Sequence, residues 1–105
     1  LVDAASGVLN VDPREKGNLK YALEQNYPNP FNPSTRVKYS IAEDTKVRIT
    51  VFNTLGEVVK VVLDQTQKQG NYETTIDMKG FASGIYFYQL NTERYSEVRK
   101  LVLIK

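Results

Sequence analysis

The 105-residue chain has no cysteine and no histidine. The absence of cysteine excludes disulfides, thiolate nucleophiles and thiolate zinc sites, and it leaves the redox compartment undetermined. The absence of histidine removes the commonest general base and metal ligand. We therefore expect no cofactor, no metal and no catalytic residues, and an enzyme is the least favoured class of protein.

The chain also lacks a strong excess of acidic or basic residues and a long apolar stretch. The 14 basic and 12 acidic residues are spread along the chain and give a net charge of +2, so no basic patch predicts binding to nucleic acid. There is no apolar stretch of membrane-spanning length and no signal-peptide pattern. Because the sequence starts at Leu1 and not at Met, we interpret it as a part of a larger protein.

Carboxylates offer little for catalysis. The one adjacent pair, Glu43 and Asp44, falls in a predicted hairpin turn, where both side chains are usually solvated. A solvated turn is favoured over an acid/base pair at this place. The chain has no phosphate loop, calcium-loop spacing or nucleophile elbow.

Strand-like alternation of apolar and polar residues begins at Thr35 and continues to the end of the chain. Strands are predicted at residues 35–41, 46–51, 59–63, 72–76, 85–90 and 95–104, with one more around 20–25. We expect the fifth of these runs, 85–90, to be buried on much of both faces, and the polar stretch 64–69 to be a connection. Gly56 suits the left-handed position that closes a short hairpin. No helical period is sustained, and we predict one all-β domain, an immunoglobulin-like Greek-key β-sandwich of about seven strands.

A proline leader (residues 26–33) precedes these strands and holds three of the four prolines, Pro28, Pro30 and Pro33. Each proline fixes its own φ, removes a backbone donor and keeps the residue before it out of the helical region. The leader is therefore predicted to be stiff, extended and non-helical. A flexible linker would have no use for its two aromatics, Tyr27 and Phe31. We expect both to pack on the base of the sandwich.

The last strand ends in a fully apolar run, residues 101–104, between cations at Arg99, Lys100 and Lys105. An edge strand is normally protected against pairing with another chain. Such an apolar strand must therefore be central, covered, or kept available for a partner. One available partner is a second copy of the chain, which predicts a weak homodimer through this strand.

Seven tyrosines permit a second interpretation, because exposed aromatics on a sheet can stack on sugars. Tyr86 and Tyr88 share one face of their strand, where core packing is favoured over a sugar platform. A carbohydrate-binding or adhesive module and a structural spacer domain remain open as alternative functions.

Five motifs occur in order along the chain, at residues 23–33, 51–59, 70–72, 83–90 and 100–105. Together they closely resemble the C-terminal sorting domain of proteins exported by the type IX (Por) secretion system of Bacteroidetes-group bacteria. The resemblance covers residues 23–105, which we expect to form the sorting domain. Residues 1–22 would then be the linker to a preceding cargo domain.

The resemblance implies a sorting signal that directs an attached cargo across the outer membrane, without catalysis of its own. Its partners would be the outer-membrane translocon and a sortase-like peptidase that cleaves the domain upstream of the sandwich and joins the cargo to a surface anchor. The protein would be secreted, or held on the outer surface of a Gram-negative bacterium, after passing through the periplasm. By position, the signal residues are Gly84, Tyr86, Lys100, Leu101, Val102, Leu103, Ile104 and Lys105. Recognition of the last strand would fit β-augmentation.

Overall fold

A computed structural model describes residues 20–105 of the chain. The linker predicted at residues 1–22 therefore lies almost wholly outside the described residues. The strands are β1 (Ala22–Leu23), β2 (Ser34–Ile41), β3 (Thr45–Phe52), β4 (Val58–Gln67), β5 (Gly70–Asp77), β6 (Gly84–Asn91) and β7 (Ser96–Leu103). Within the described residues, no helix is long and apolar enough to span a membrane.

The strands form two antiparallel sheets that pack face to face. One sheet has three strands in the order β1-β2-β5, and the other has four in the order β4-β3-β6-β7. The predicted all-β, immunoglobulin-like β-sandwich of seven strands is thus confirmed.

The apolar residues of the alternating runs form the core between the sheets. In β3, Val47, Ile49 and Val51 are fully buried, whereas Lys46 before them and Arg48 between Val47 and Ile49 face solvent. A slip of one residue in strand pairing would reverse these faces, so the pattern strongly specifies the register. The buried apolar residues are Leu23, Phe31, Val37, Tyr39, Ile41, Val47, Ile49, Val51, Ile76, Met78, Tyr86, Tyr88, Leu90, Leu101 and Leu103.

The connection at Glu43 and Asp44 is not a hairpin turn, and that prediction was wrong. It joins β2 to β3, which belong to different sheets, so the chain crosses the sandwich here. The two carboxylates have separate partners: Glu43 accepts a hydrogen bond of 2.8 Å from the Tyr21 hydroxyl, and Asp44 accepts one of 2.9 Å from the Gln69 amide. They do not form an acid/base pair.

The polar stretch at residues 64–69 was wrongly predicted as a connection. β4 continues through it to Gln67 and pairs Asp64 with Arg48 and Thr66 with Lys46 on β3. β4 is an outer strand of its sheet, and its end is exposed to solvent on both faces. Polar composition therefore does not end the strand there.

Burial of β6 on both faces was predicted and is only partly observed. Tyr86, Tyr88 and Leu90 are buried between the sheets, but Ile85 on the opposite face is 45% exposed. Two layers cover only the inner face of each sheet, and residues 20–105 form no third layer. The outer side chains of β6 consequently remain partly in solvent.

The turn between β3 and β4 closes as expected. Gly56 has a φ of +83°, and its amide donates a 3.0 Å hydrogen bond to the Asn53 carbonyl. The Asn53 side-chain oxygen accepts hydrogen bonds from the backbone amides of Leu55 and Glu57. Glycine is required here because other residues rarely adopt a left-handed backbone.

Candidate recognition surface at the end of β7

The two groups of predicted signal residues lie side by side in the fold. β6 and β7 are antiparallel neighbours, with Gly84 opposite Leu103 and Tyr86 opposite Leu101. The start of β6 thus meets the end of β7. Segments that are separate in the sequence form one continuous surface on the four-stranded sheet.

Burial divides the predicted signal residues into two groups. Tyr86, Leu101 and Leu103 are 8%, 0% and 1% exposed, and the Tyr86 hydroxyl donates to the Ala82 carbonyl at 2.7 Å. These three side chains belong to the core and cannot be contacted directly by a partner. The residues that reach solvent are Gly84, Lys100, Ile104 and Lys105, with Val102 half-buried.

The proline leader crosses from one sheet to the other. At its start, Tyr27 pairs antiparallel with Arg36 on β2, and near its end Phe31 forms a parallel bridge to Leu103 on β7. The backbone bends at residues 28–30 between these contacts. The leader is non-helical, as predicted, but the prediction that it is extended was wrong.

The two leader aromatics have opposite environments. The Phe31 side chain is 2% exposed and belongs to the core, whereas the Tyr27 side chain is 81% exposed. Packing of Tyr27 on the sandwich was therefore wrongly predicted. Tyr27 is held through its backbone, which exchanges hydrogen bonds of 2.9 and 3.0 Å with Arg36, and its ring points away from the core. The prolines Pro28, Pro30 and Pro33 are exposed too, so they shape the backbone without filling the core.

Polar residues that were not predicted from the sequence hold the leader to β2. Asn26 and Thr35 are each 2% exposed. The Asn26 amide donates to Thr35 Oγ1 and to the Pro28 carbonyl at 3.0 Å each, and the Thr35 hydroxyl donates to the same carbonyl at 2.7 Å. The available signal was asparagine close to prolines, because its side chain can replace backbone partners that proline removes.

The outer edge of β7 is covered along its C-terminal half. β7 is the last strand of its sheet, yet the groups that point away from β6 have partners on residues 25–31. The bonds run from Gln25 Nε2 to the Lys100 carbonyl (2.7 Å), from the Val102 amide to Asn29 Oδ1 (3.1 Å), from the Phe31 amide to the Val102 carbonyl (3.0 Å) and from the Ile104 amide to the Phe31 carbonyl (2.9 Å). Of the three states expected for this apolar strand, the structure shows the covered one.

Two further hydrogen bonds connect β1 and the residue after it to β6 and β7. Arg99 Nε donates to the Leu23 carbonyl at 2.5 Å, and the Tyr88 hydroxyl donates to the Glu24 carbonyl at 2.6 Å. Burial raises the pKa of Tyr88 to about 12, although the Asn26 backbone and Arg99 act in the opposite direction. Burial disfavours the phenolate, so the hydroxyl remains a donor at neutral pH.

Core packing, which the sequence favoured over a sugar platform, is observed for Tyr86 and Tyr88. All seven tyrosines lie within the described residues, and six of them pack in the core or against another ring. Tyr21 and Tyr95 stack with centroids 4.8 Å apart; burial, followed by the hydrogen bond to Glu97, raises the pKa of Tyr95 to about 12. Only Tyr27 presents most of its ring to solvent. Residues 20–105 also hold no cluster of three or more carboxylates placed to bind a metal.

Comparison with known proteins identifies the family. A family model described as a secretion system C-terminal sorting domain matches residues 25–105, which include the leader and strands β2 to β7. No curated protein and no solved structure matched the chain. The family consists of sorting signals and not of known enzymes. The chain therefore belongs to the family of secretion system C-terminal sorting domains, which are the sorting signals of type IX secretion.

Proposed function

We propose that this domain directs an attached cargo protein across the outer membrane, and that the secretion machinery reads the surface where β6 starts and β7 ends. The family match over residues 25–105 carries this proposal. Membership in the family implies a cargo, contact with the type IX machinery, and a secreted or cell-surface protein of Bacteroidetes that passes through the periplasm. In this proposal the domain itself performs no catalysis.

Two partners belong to the proposal. The outer-membrane translocon would bind the folded sandwich, and a sortase-like peptidase would then cut before about residue 23 and join the cargo to a surface anchor. A cut in that region leaves β2 to β7 and their core intact. The predicted homodimer through β7 remains a prediction, and it would use the same edge that the leader covers.

The predicted signal residues would serve two purposes. The buried side chains of Tyr86, Leu101 and Leu103 hold β6 and β7 in register and determine the position of the surface. The exposed side chains of Lys100 and Ile104 are then the groups that a partner contacts. Substitution of an exposed residue therefore tests recognition without removing a core side chain.

A reporter export assay tests the proposed function. A reporter with an N-terminal export signal is fused to residues 1–105 and expressed in a bacterium with a type IX system. We expect the unaltered fusion in the medium or on the cell surface, and the Ile104→Ser fusion retained in the periplasm. Val61→Ser on β4 is the matched control, because Val61 is 47% exposed and Ile104 is 51% exposed, and β4 lies at the opposite edge of the same sheet. Periplasmic retention of the unaltered fusion, or equal effects of the two substitutions, would contradict the proposal.

A further inference from the structure

The edge of β7 that a partner strand would pair with is already occupied by residues 25–31. We call the four hydrogen bonds between these residues and β7, together with the buried Phe31 ring, the clasp. All four bonds fall on residues 100–104, within the segment that is predicted to carry the signal. Occupation of an edge by the chain's own backbone protects it against pairing with other chains.

We propose that the clasp is releasable, and that recognition requires an incoming strand of the secretion machinery to replace the leader on residues 100–104. This inference rests on the proposed function and specifies how its surface is read. The partner is an extended segment that pairs with β7 through its main chain.

The leader satisfies the β7 edge less regularly than a strand would. Its main chain pairs with β7 only at Phe31, because the backbone bends at residues 28–30. The Lys100 carbonyl and the Val102 amide are satisfied by the side chains of Gln25 and Asn29. Both of these contacts are exposed to solvent, where water competes for the same groups. A regular strand would offer main-chain partners at every one of these positions.

The clasp also defines the chemistry of the segment that replaces it. Release of the leader withdraws Phe31, which is 2% exposed, and leaves its place in the core empty. The incoming strand therefore needs a large apolar residue opposite Leu103. Because Lys100 and Lys105 are exposed at the two ends of this edge, acidic residues on the incoming strand would complement them.

A disulfide across the clasp tests whether release is required. The chain has no cysteine of its own, so an engineered pair forms without competition. Asn32 and Ile104 directly follow the paired residues Phe31 and Leu103, and both are exposed. The Ile104 amide donates to the Phe31 carbonyl at 2.9 Å, and Asn32 follows that carbonyl directly, so the two positions lie side by side; a free-thiol assay verifies that the disulfide has formed before export is measured. The double variant Asn32→Cys/Ile104→Cys therefore locks the leader onto β7.

The control lock is Lys38→Cys/Glu73→Cys, which joins directly opposed, exposed residues of β2 and β5 and leaves the leader free. In the reporter assay, we expect the clasp-locked fusion to lose export. The same double variant kept reduced with dithiothreitol carries the identical Ile104 substitution, and we expect it to export more reporter than the oxidised form, whereas the control lock should export equally in both states. Export of both locked fusions would overturn the clasp proposal alone. Retention of the unaltered fusion would overturn the proposed function as well, and equal export of the oxidised and reduced double variant would overturn the clasp proposal.

Hydrogen exchange of the isolated chain tests release directly, without the secretion machinery. Asn29→Ala removes the acceptor of the Val102 amide, and we expect exchange of that amide about fivefold faster, the value for one ordinary hydrogen bond. The Ile104 amide should accelerate too, because the clasp opens as one unit. Gln89→Ala is the control, since it removes an exposed side-chain bond to Ser96 at the other end of β7. Acceleration of Val102 alone, or an equal effect of the control, would overturn the proposal.

Discussion

Replacement of Phe31 by alanine should destabilise the whole domain, although Phe31 lies in a segment without regular secondary structure. Its ring is 2% exposed within the core, and its amide and carbonyl both bond to β7. Removal of a buried phenylalanine ring costs about 3–5 kcal/mol, because apolar burial is lost and a cavity remains. Domains of this size are stable by only about 5–15 kcal/mol, so Phe31→Ala should remove a large share of the total.

Urea unfolding at neutral pH, followed by circular dichroism, measures this loss. In a separate thermal melt, each kcal/mol lost lowers the unfolding midpoint of a domain near this size by about 4 °C or more. The midpoint of Phe31→Ala should therefore fall by about 12 °C or more. Tyr27→Ala is the matched control, because it removes the other leader aromatic, which is 81% exposed. Its effect should stay within about 0.5 kcal/mol, as for ordinary surface substitutions.

The comparison of these two variants tests whether the burial of the Phe31 ring stabilises the domain. Equal losses of stability in Phe31→Ala and Tyr27→Ala would show that the burial of the Phe31 ring contributes nothing beyond what an exposed aromatic in the leader contributes. A loss below about 1 kcal/mol for Phe31→Ala would show that the core closes without the leader.

Other substitutions test the polar network, the pH dependence and one glycine. Thr35→Val should cost about 1–3 kcal/mol in urea unfolding, because it leaves the buried Asn26 amide short of an acceptor. The pKa of Tyr88 is raised to about 12 from 10.0, so its neutral form stabilises the fold below pH 10 and about 2–3 kcal/mol is lost as pH rises from 10 to 12. Tyr88→Phe should reduce that alkaline loss, while costing about 1 kcal/mol at pH 7 through the bond to Glu24. Gly84→Ala should cost about 1 kcal/mol or more from its φ of +152°, although a Cβ would meet no neighbour within 4 Å.

Specific results would contradict each of these expectations. Thr66 is exposed on β4, so Thr66→Val should hardly change the free energy of unfolding. If Thr35→Val also left that free energy unchanged, the polar network would not contribute to stability. An unchanged alkaline profile in Tyr88→Phe would assign the pH dependence to another group, such as Tyr95. A neutral Gly84→Ala would show that the backbone there relaxes easily.

Strand positions could be predicted because side-chain alternation is a local property of the chain. In β3, period two puts Val47, Ile49 and Val51 on one face, and no other arrangement buries all of them. The connections were less predictable. Glu43 and Asp44 look the same in a hairpin and in a crossing between sheets, because the choice depends on which strands pair and not on the turn residues.

At the candidate site, too, the local motifs could be predicted from the sequence and the tertiary contacts could not. The motif at residues 83–90 and the motif at 100–105 are both recognisable in the sequence, and they were assigned to one signal. The burial of individual side chains was not recognisable, since Phe31 and Tyr27 are both aromatics beside prolines. Pairing of Tyr27 with Arg36 and of Phe31 with Leu103 decides which ring enters the core.

The amino-acid pattern alone determined that the chain forms a β-sandwich, approximately where its strands lie, and that its motifs are those of a sorting domain. Only the tertiary structure brought the leader onto the last strand. Asn29 and Val102 are 73 residues apart, and their contact depends on β7 being the outermost strand of its sheet. Local side-chain patterns do not encode the order of strands in a sheet, because that order follows from non-local pairing and from packing of the two sheets.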